Sequence, residues 1–110
     1  MNVIVFLPNW IGDVIMSLPF LKQLGEKSNY NSITFLGQDW IKDILTHTEF
    51  KYSYDLIIYD RTKYKTIGGF FNLIRRLKNN NYTHGFVLAE SLSSALLFML
   101  SNIPNRIGYA

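Results

Sequence analysis

Asp13 is the residue with the most chemistry to offer in this chain, because of what stands on either side of it. An uninterrupted apolar run, Val3 to Leu7, leads into Pro8-Asn9-Trp10-Ile11, and Gly12-Asp13 then opens a segment of helical spacing. In an open α/β sheet the loop after a strand's carboxyl end is where ligands bind. A carboxylate placed there can take the proton of a hydroxyl nucleophile, a role typically worth about 10²–10⁴ in rate. It can equally cap the helix by accepting from its free N–H groups, with Gly12 allowing a tight turn or a positive φ. A helix amino terminus keeps the carboxylate ionised and makes it a weaker base. Local chemistry leaves both roles open.

The other polar candidates are fewer. Gly12 is the only glycine of the first turn, so neither a dinucleotide fingerprint nor a phosphate-binding P-loop is present. Trp10 and Trp40 are each a stacking platform for a sugar ring or a core residue. His47 and His84 stand apart from each other and from any carboxylate at ligand spacing, so no metal site is expected. The run Glu90-Ser91-Leu92-Ser93-Ser94 follows the fourth apolar strand and falls at the same sheet edge as Asp13. Its hydroxyls suit helix capping, or contact with an anionic or sugar ligand. Neither histidine is tied to a serine by spacing, so a Ser-His-Asp arrangement is not indicated.

Charge adds one feature. The chain carries a formal +3, and the segment 51–78 holds Lys51, Arg61, Lys63, Lys65, Arg75, Arg76 and Lys78 against Asp55 and Asp60. The excess is either a solvated helix face with a basic loop or a surface for an anionic partner.

The elements that must position these groups alternate regularly. Residues 2–7 read as a strand buried on both faces, since they are continuously apolar. Val14, Leu18, Leu21 and Leu24 give a helix ending near Gly25; Pro19 implies either a kink or a short first turn followed by a main helix. Strands follow over 32–36, 55–59 (a buried one) and 85–89. Helices are expected over 39–46, with Trp40, Ile41, Ile44 and Leu45 as its stripe, then over 67–78, with Ile67, Phe70, Phe71, Ile74 and Leu77 on one side, and over 93–100. Asn79-Asn80-Asn81 marks a turn, and residues from Arg106 begin a fifth strand. Four alternations predict an open parallel sheet of Rossmann-like type with right-handed crossovers. Its 110 residues form one domain, 48% hydrophobic and without cysteine, which excludes disulfides and thiolate metal sites. No secretory signal is evident, and the run Ala95–Leu100 is far shorter than the ~18 residues of a membrane span. A fifth strand that starts at the last residues suggests a domain truncated at its carboxyl end.

Two segments carry a resemblance. Leu7-Pro8-Asn9-Trp10-Ile11-Gly12-Asp13-Val14-Ile15-Met16-Ser17-Leu18-Pro19 resembles the amino-terminal motif of the ADP-heptose:lipopolysaccharide heptosyltransferases (glycosyltransferase family 9), and its Pro-Asn-Trp is closer to branch II than to branch I. Ser91-Leu92-Ser93-Ser94-Ala95-Leu96 with Ile103-Pro104-Asn105-Arg106-Ile107-Gly108-Tyr109 is similar to the family's S-x-x-S-A-L … I-P-x-R-I-G-Y segment. The motifs stand in the family's order at opposite ends of the chain.

The resemblance implies the amino-terminal half of a GT-B fold, incomplete here, serving as the acceptor-binding domain of an inverting, metal-independent transferase. It makes Asp13 the general base and Asn9, Trp10, Gly12, Ser91 and Ser94 acceptor-binding residues. The implied acceptor is the anionic inner core of lipopolysaccharide, presented at the inner face of the inner membrane. Arg61, Lys63 and Lys65 would then contact anionic lipid or phosphate, with roughly 1 kcal/mol per basic group near such a surface. The implied location is cytoplasmic, with peripheral membrane contact, and no nucleic-acid partner is expected. No cofactor is implied. The donor, ADP-heptose, would be held mainly by a carboxyl-terminal domain outside these residues, so the chain alone should be inactive. Glu90 departs from the Asn common in the family. Two other readings stand beside this one: a self-contained flavodoxin-like binding module, and a non-catalytic docking domain for a membrane surface.

Overall fold

Consecutive residues of the first strand serve opposite sides of one sheet, which is why that strand is apolar throughout. The computed structural model describes residues 2–27, 32–59, 66–88, 97 and 100–108. Within them, β1 (Asn2–Phe6), α1 (Ile11–Lys27), β2 (Ser32–Gly37), α2 (Ile41–Thr46), β3 (Asp55–Ile58), α3 (Ile67–Asn79), β4 (His84–Val87) and β5 (Asn105–Gly108) follow in order. The strands form one parallel sheet in the order β3-β2-β1-β4-β5, with β1 at its centre. Its register pairs Val5 with Phe35 on one side and with Phe86 on the other.

The two faces of the sheet have separate cores. Val3, Val5 and Leu7 point to the side covered by α1 and α2, where they meet Val14, Leu21, Leu24, Phe35, Ile41 and Leu45. Ile4 and Phe6 point to the other side, against Leu73, Ile74 and Leu77 of α3, with Leu97 and Ile103. This is the layered α/β arrangement expected from the alternation.

One open alternative is decided, and two local readings are refined. The first helix is a single element that runs through Pro19. Pro19 and Ile15 both lie on the exposed side of α1, so the Ile15 carbonyl that loses its usual donor faces solvent. Trp40 stands before α2 as its N-cap residue and still packs on the same core as Ile41, Ile44 and Leu45. The third strand is buried only in part: β3 is an edge strand with Asp55 exposed and Ile57 buried. An edge strand has a neighbour on one side only, so its flanking residues are less covered.

Several boundaries have clear causes. Thr66 caps α3 by accepting from the Gly69 N–H at 3.1 Å, which satisfies one otherwise free helix donor. The asparagine run ends α3, and Asn81 takes a left-handed φ of 53°, a conformation asparagine tolerates better than most residues. Of the helix expected over 93–100, only Leu97 and Leu100 belong to the described residues; both are helical, and Leu97 is fully buried.

Near the end of α1, Gly25 lies against the ring of Tyr52, whose hydroxyl donates to the Leu21 carbonyl. A Cβ at position 25 would overlap that ring. Gly25→Ala should therefore lower stability by about 1–3 kcal/mol, the usual cost of overpacking, despite alanine's better helix propensity. Chemical denaturation of the two proteins checks this, and an unchanged or raised midpoint would show that the ring moves aside freely.

Candidate functional site

The chain leaves β1 toward β2 through α1, while β4 lies on the other side of β1. The carboxyl ends of β1 and β4 therefore flank a topological switch point, where open α/β sheets bind ligands. A cavity of about 330 Å³ lies there, lined by residues that follow β1, by the first turns of α1 and by Leu88 after β4. Pro8, Met16, Phe20 and Leu88 supply its apolar surface; Asn9, Asp13 and Ser17 supply polar groups. Phe20 stands edge-on to Phe86 of β4, with ring centroids 5.5 Å apart.

Asp13 lines this cavity and is exposed. It is not the N-cap: α1 begins at Ile11, and the Val14 N–H donates to the Trp10 carbonyl at 3.0 Å. Asp13 sits in the first turn, where the helix dipole favours a carboxylate. Among the described residues its carboxylate has no hydrogen-bond or ion-pair partner. The capping role is thus not how the carboxylate is used, and its oxygens remain available to a ligand.

Gly12 also differs from the turn-making role considered for it. It lies inside the helix, no glycine among the described residues has a positive φ, and a Cβ built on Gly12 would meet nothing within 4 Å. Neither backbone nor packing among the described residues requires glycine here, although it costs about 1 kcal/mol relative to alanine in a helix interior. Among the described residues its effect is to leave space above the first turn.

Trp10 is 70% exposed and lines the cavity, so it is not a core residue. Trp40 is half-buried against the core beneath α1 and α2. The Ser17 hydroxyl donates to the Val14 carbonyl at 2.7 Å, a bond within the helix.

Asn9 is the most constrained polar group of the site. Its Oδ1 accepts from the Tyr59 hydroxyl at 3.0 Å and from Gln38 Nε2 at 3.3 Å. Tyr59 is buried, packs edge-on against Phe6 with centroids 5.5 Å apart, and donates its backbone N–H to the Gly37 carbonyl at 3.0 Å. Sequence reading did not single out Gln38 or Tyr59. Each is the first residue beyond the end of β2 or β3, so the parallel alternation already set both at the edge that carries Asn9.

Ser91, Ser94, Arg61, Lys63 and Lys65 lie outside the described residues, as does Glu90. His47 bonds the Asp43 carbonyl through Nδ1 at 2.7 Å, and His84 contacts the Thr83 hydroxyl at 2.9 Å; neither lines the cavity. A second, more open hollow of about 460 Å³ lies beside β2 and β3 and includes Ser32, Asp55, Arg76 and Asn80. Burial pushes the Tyr54 phenol above its ordinary pKa, beside Phe35 and Phe50 and away from the cavity.

No helix among the described residues is long and apolar enough to cross a membrane. No family model matches the chain. Two curated proteins match it over nearly its whole length. Lipooligosaccharide heptosyltransferase 2 of Haemophilus ducreyi is 25% identical over 114 aligned positions, covering 99% of this chain and 31% of that protein. Lipopolysaccharide heptosyltransferase 2 of Salmonella typhimurium is 26% identical, again over 99% of this chain and 31% of its own length. The chain thus spans about a third of the curated relatives it matches. Among solved structures, E. coli ADP-heptose lps heptosyltransferase II superposes with a TM-score of 0.79 at 26% identity, covering 98% of this chain and 30% of the other. A glycosyltransferase of family 9 from Veillonella parvula shares the fold, with a TM-score of 0.81 at 18% identity, covering 98% and 32%.

Proposed function

From a chain that resembles the family 9 heptosyltransferases along its whole length, in sequence and in fold, we propose that these residues are the amino-terminal, acceptor-binding domain of a lipopolysaccharide heptosyltransferase. The observation that carries the proposal is the Asp13 carboxylate, exposed, unpaired among the described residues and lining a cavity at the β1/β4 switch point. A group in that position can accept a proton from a bound sugar hydroxyl.

The proposed reaction is a single displacement that inverts the donor's anomeric carbon. The acceptor oxygen gives its proton to Asp13 and bonds to that carbon, and the bond from the carbon to ADP breaks, so ADP leaves with the electron pair. The anomeric centre passes through an oxocarbenium-like state, as in other glycosyl chemistry. Metal is not required, provided other groups stabilise the departing diphosphate. On this reading those groups and most of the ADP-heptose contacts fall in the part of the relatives' length that this chain does not span, so the 110 residues alone should not catalyse transfer. Exposed Trp10 offers a face for a sugar ring, and the space over Gly12 lets the acceptor approach the helix.

Peripheral contact with the cytoplasmic face of a membrane is a further part of the reading. Ile67 and Phe71 are exposed on α3, four residues apart, and Arg75 and Lys78 continue the same stripe. Apolar tips beside basic groups suit an anionic lipid surface, and Arg61, Lys63 and Lys65 precede this helix in sequence.

The direct experiment incubates the full-length protein containing this chain with ADP-heptose and lipopolysaccharide truncated before its outer inner-core heptose. A gain of one heptose by mass spectrometry is expected, without added metal and in the presence of a chelator. Absence of transfer with both heptosyltransferase I and II type acceptors would overturn the proposal.

A further inference from the structure

The amide of Asn9 is held from behind. An amide oxygen has two lone-pair sites, and in this structure both are met by donors from other strands' ends, the Tyr59 hydroxyl at 3.0 Å and Gln38 Nε2 at 3.3 Å. Tyr59 has little freedom: it is 8% exposed, its ring abuts Phe6, and its backbone prolongs the pairing of β3 with β2. With the oxygen end so fixed, the –NH₂ end of Asn9 faces away from Tyr59 and Gln38.

We propose that Tyr59 and Gln38 are positioning residues that make Asn9 an obligatory hydrogen-bond donor in the cavity, complementary to Asp13, so that the pair selects a neutral polyol segment of the ligand. The inference deepens the acceptor-site reading and rests on it for the ligand's identity, but the orientation of Asn9 stands on the hydrogen bonds alone. An ionised Asp13 only accepts, and an oriented Asn9 amide nitrogen only donates. A hydroxyl satisfies Asp13, and the same oxygen or a neighbouring one satisfies Asn9. A carboxylate or phosphate would suit Asn9 but be repelled by Asp13. The anionic groups of a charged acceptor are therefore kept out of this point, while one of its hydroxyls is drawn to it.

Asn9→Asp separates the two faces of the residue. An aspartate retains an oxygen for Tyr59 and Gln38 and replaces the donor in the cavity with an acceptor. In the full-length protein, with ADP-heptose and truncated lipopolysaccharide, Asn9→Asp should keep the thermal midpoint within a few degrees and raise the acceptor KM about tenfold or more. Tyr59→Phe should raise the same KM by roughly threefold to tenfold, and should add little in the Asn9→Asp background, because Tyr59 acts through Asn9. An acceptor KM for Asn9→Asp equal to wild type, or full additivity of the two changes, would overturn the proposal. A second measurement does not depend on turnover: the Asn9 side-chain NH₂ resonances of the full-length protein should move on Tyr59→Phe and not on Lys42→Ala, a remote control. Unmoved resonances would overturn the positioning role even if transfer is observed. Moved resonances without any transfer would uphold it and place the failure in the proposed function.

Discussion

Asp13→Asn in the full-length protein is expected to reduce kcat for heptose transfer by about 10²–10⁴. Asparagine nearly matches the size of aspartate and keeps the polar contact, but it cannot take up the acceptor's proton at neutral pH. The fold gives little reason for any other effect. Asp13 is exposed, has no hydrogen-bond or ion-pair partner among the described residues, and is not the helix cap. Loss of its interaction with the helix dipole should cost less than about 1 kcal/mol. Steady-state kinetics beside a melting curve check both halves of the expectation. A variant that turns over normally would remove Asp13 from the chemistry. A variant that melts far below wild type would make the carboxylate structural instead.

The largest effect on stability is expected at Phe6. It is 1% exposed, sits in the centre of the core on the α3 side, and supports the ring of Tyr59 at 5.5 Å. Phe6→Ala should cost about 3–5 kcal/mol through lost burial and the residual cavity, a large share of the 5–15 kcal/mol typical of a domain. Because Phe6 also backs Tyr59, the variant should lose acceptor affinity under conditions where it is still folded. Urea unfolding followed by circular dichroism gives the first quantity, and acceptor KM at low temperature gives the second. A loss under 1 kcal/mol would mean that the neighbouring side chains close the cavity.

The alternation of strands and helices was legible because its signal is local. The run from Val3 to Leu7 lacks polar interruptions since both faces of the sheet carry a core there, and Phe70, Ile74 and Leu77 repeat at helical spacing on the buried side of α3, whereas Ile67 and Phe71, expected on that side as well, are exposed. Position in the sheet was less legible. The sequence Asp55-Leu56-Ile57-Ile58 reads as a buried strand, yet strand order is decided by pairings between distant segments and puts it at an edge. The same limit hid the partners of Asn9, which lie 29 and 50 residues away. Gly12 and Asp13 were found by their motif, but their roles as turn and cap were not what the backbone shows. A helix beginning at Ile11 leaves, among the described residues, open space over the one and no hydrogen-bond or ion-pair partner for the other.

The edge location of β3 has a consequence for how the site fails. Among the described residues its backbone pairs with β2 alone, from Thr34–Asp55 to Gly37–Ile58, so detaching it breaks a single ladder there and leaves the rest of the sheet assembled. Partial openings of this kind require less free energy than global unfolding and are sampled more often. Each such opening withdraws Tyr59 from Asn9 while Asp13, on α1, stays where it was. Warming or mild denaturant should thus blunt ligand selection before it abolishes structure, and amide hydrogens of β3 should exchange earlier than those of β1. The recognition half of this site melts separately from its chemical half.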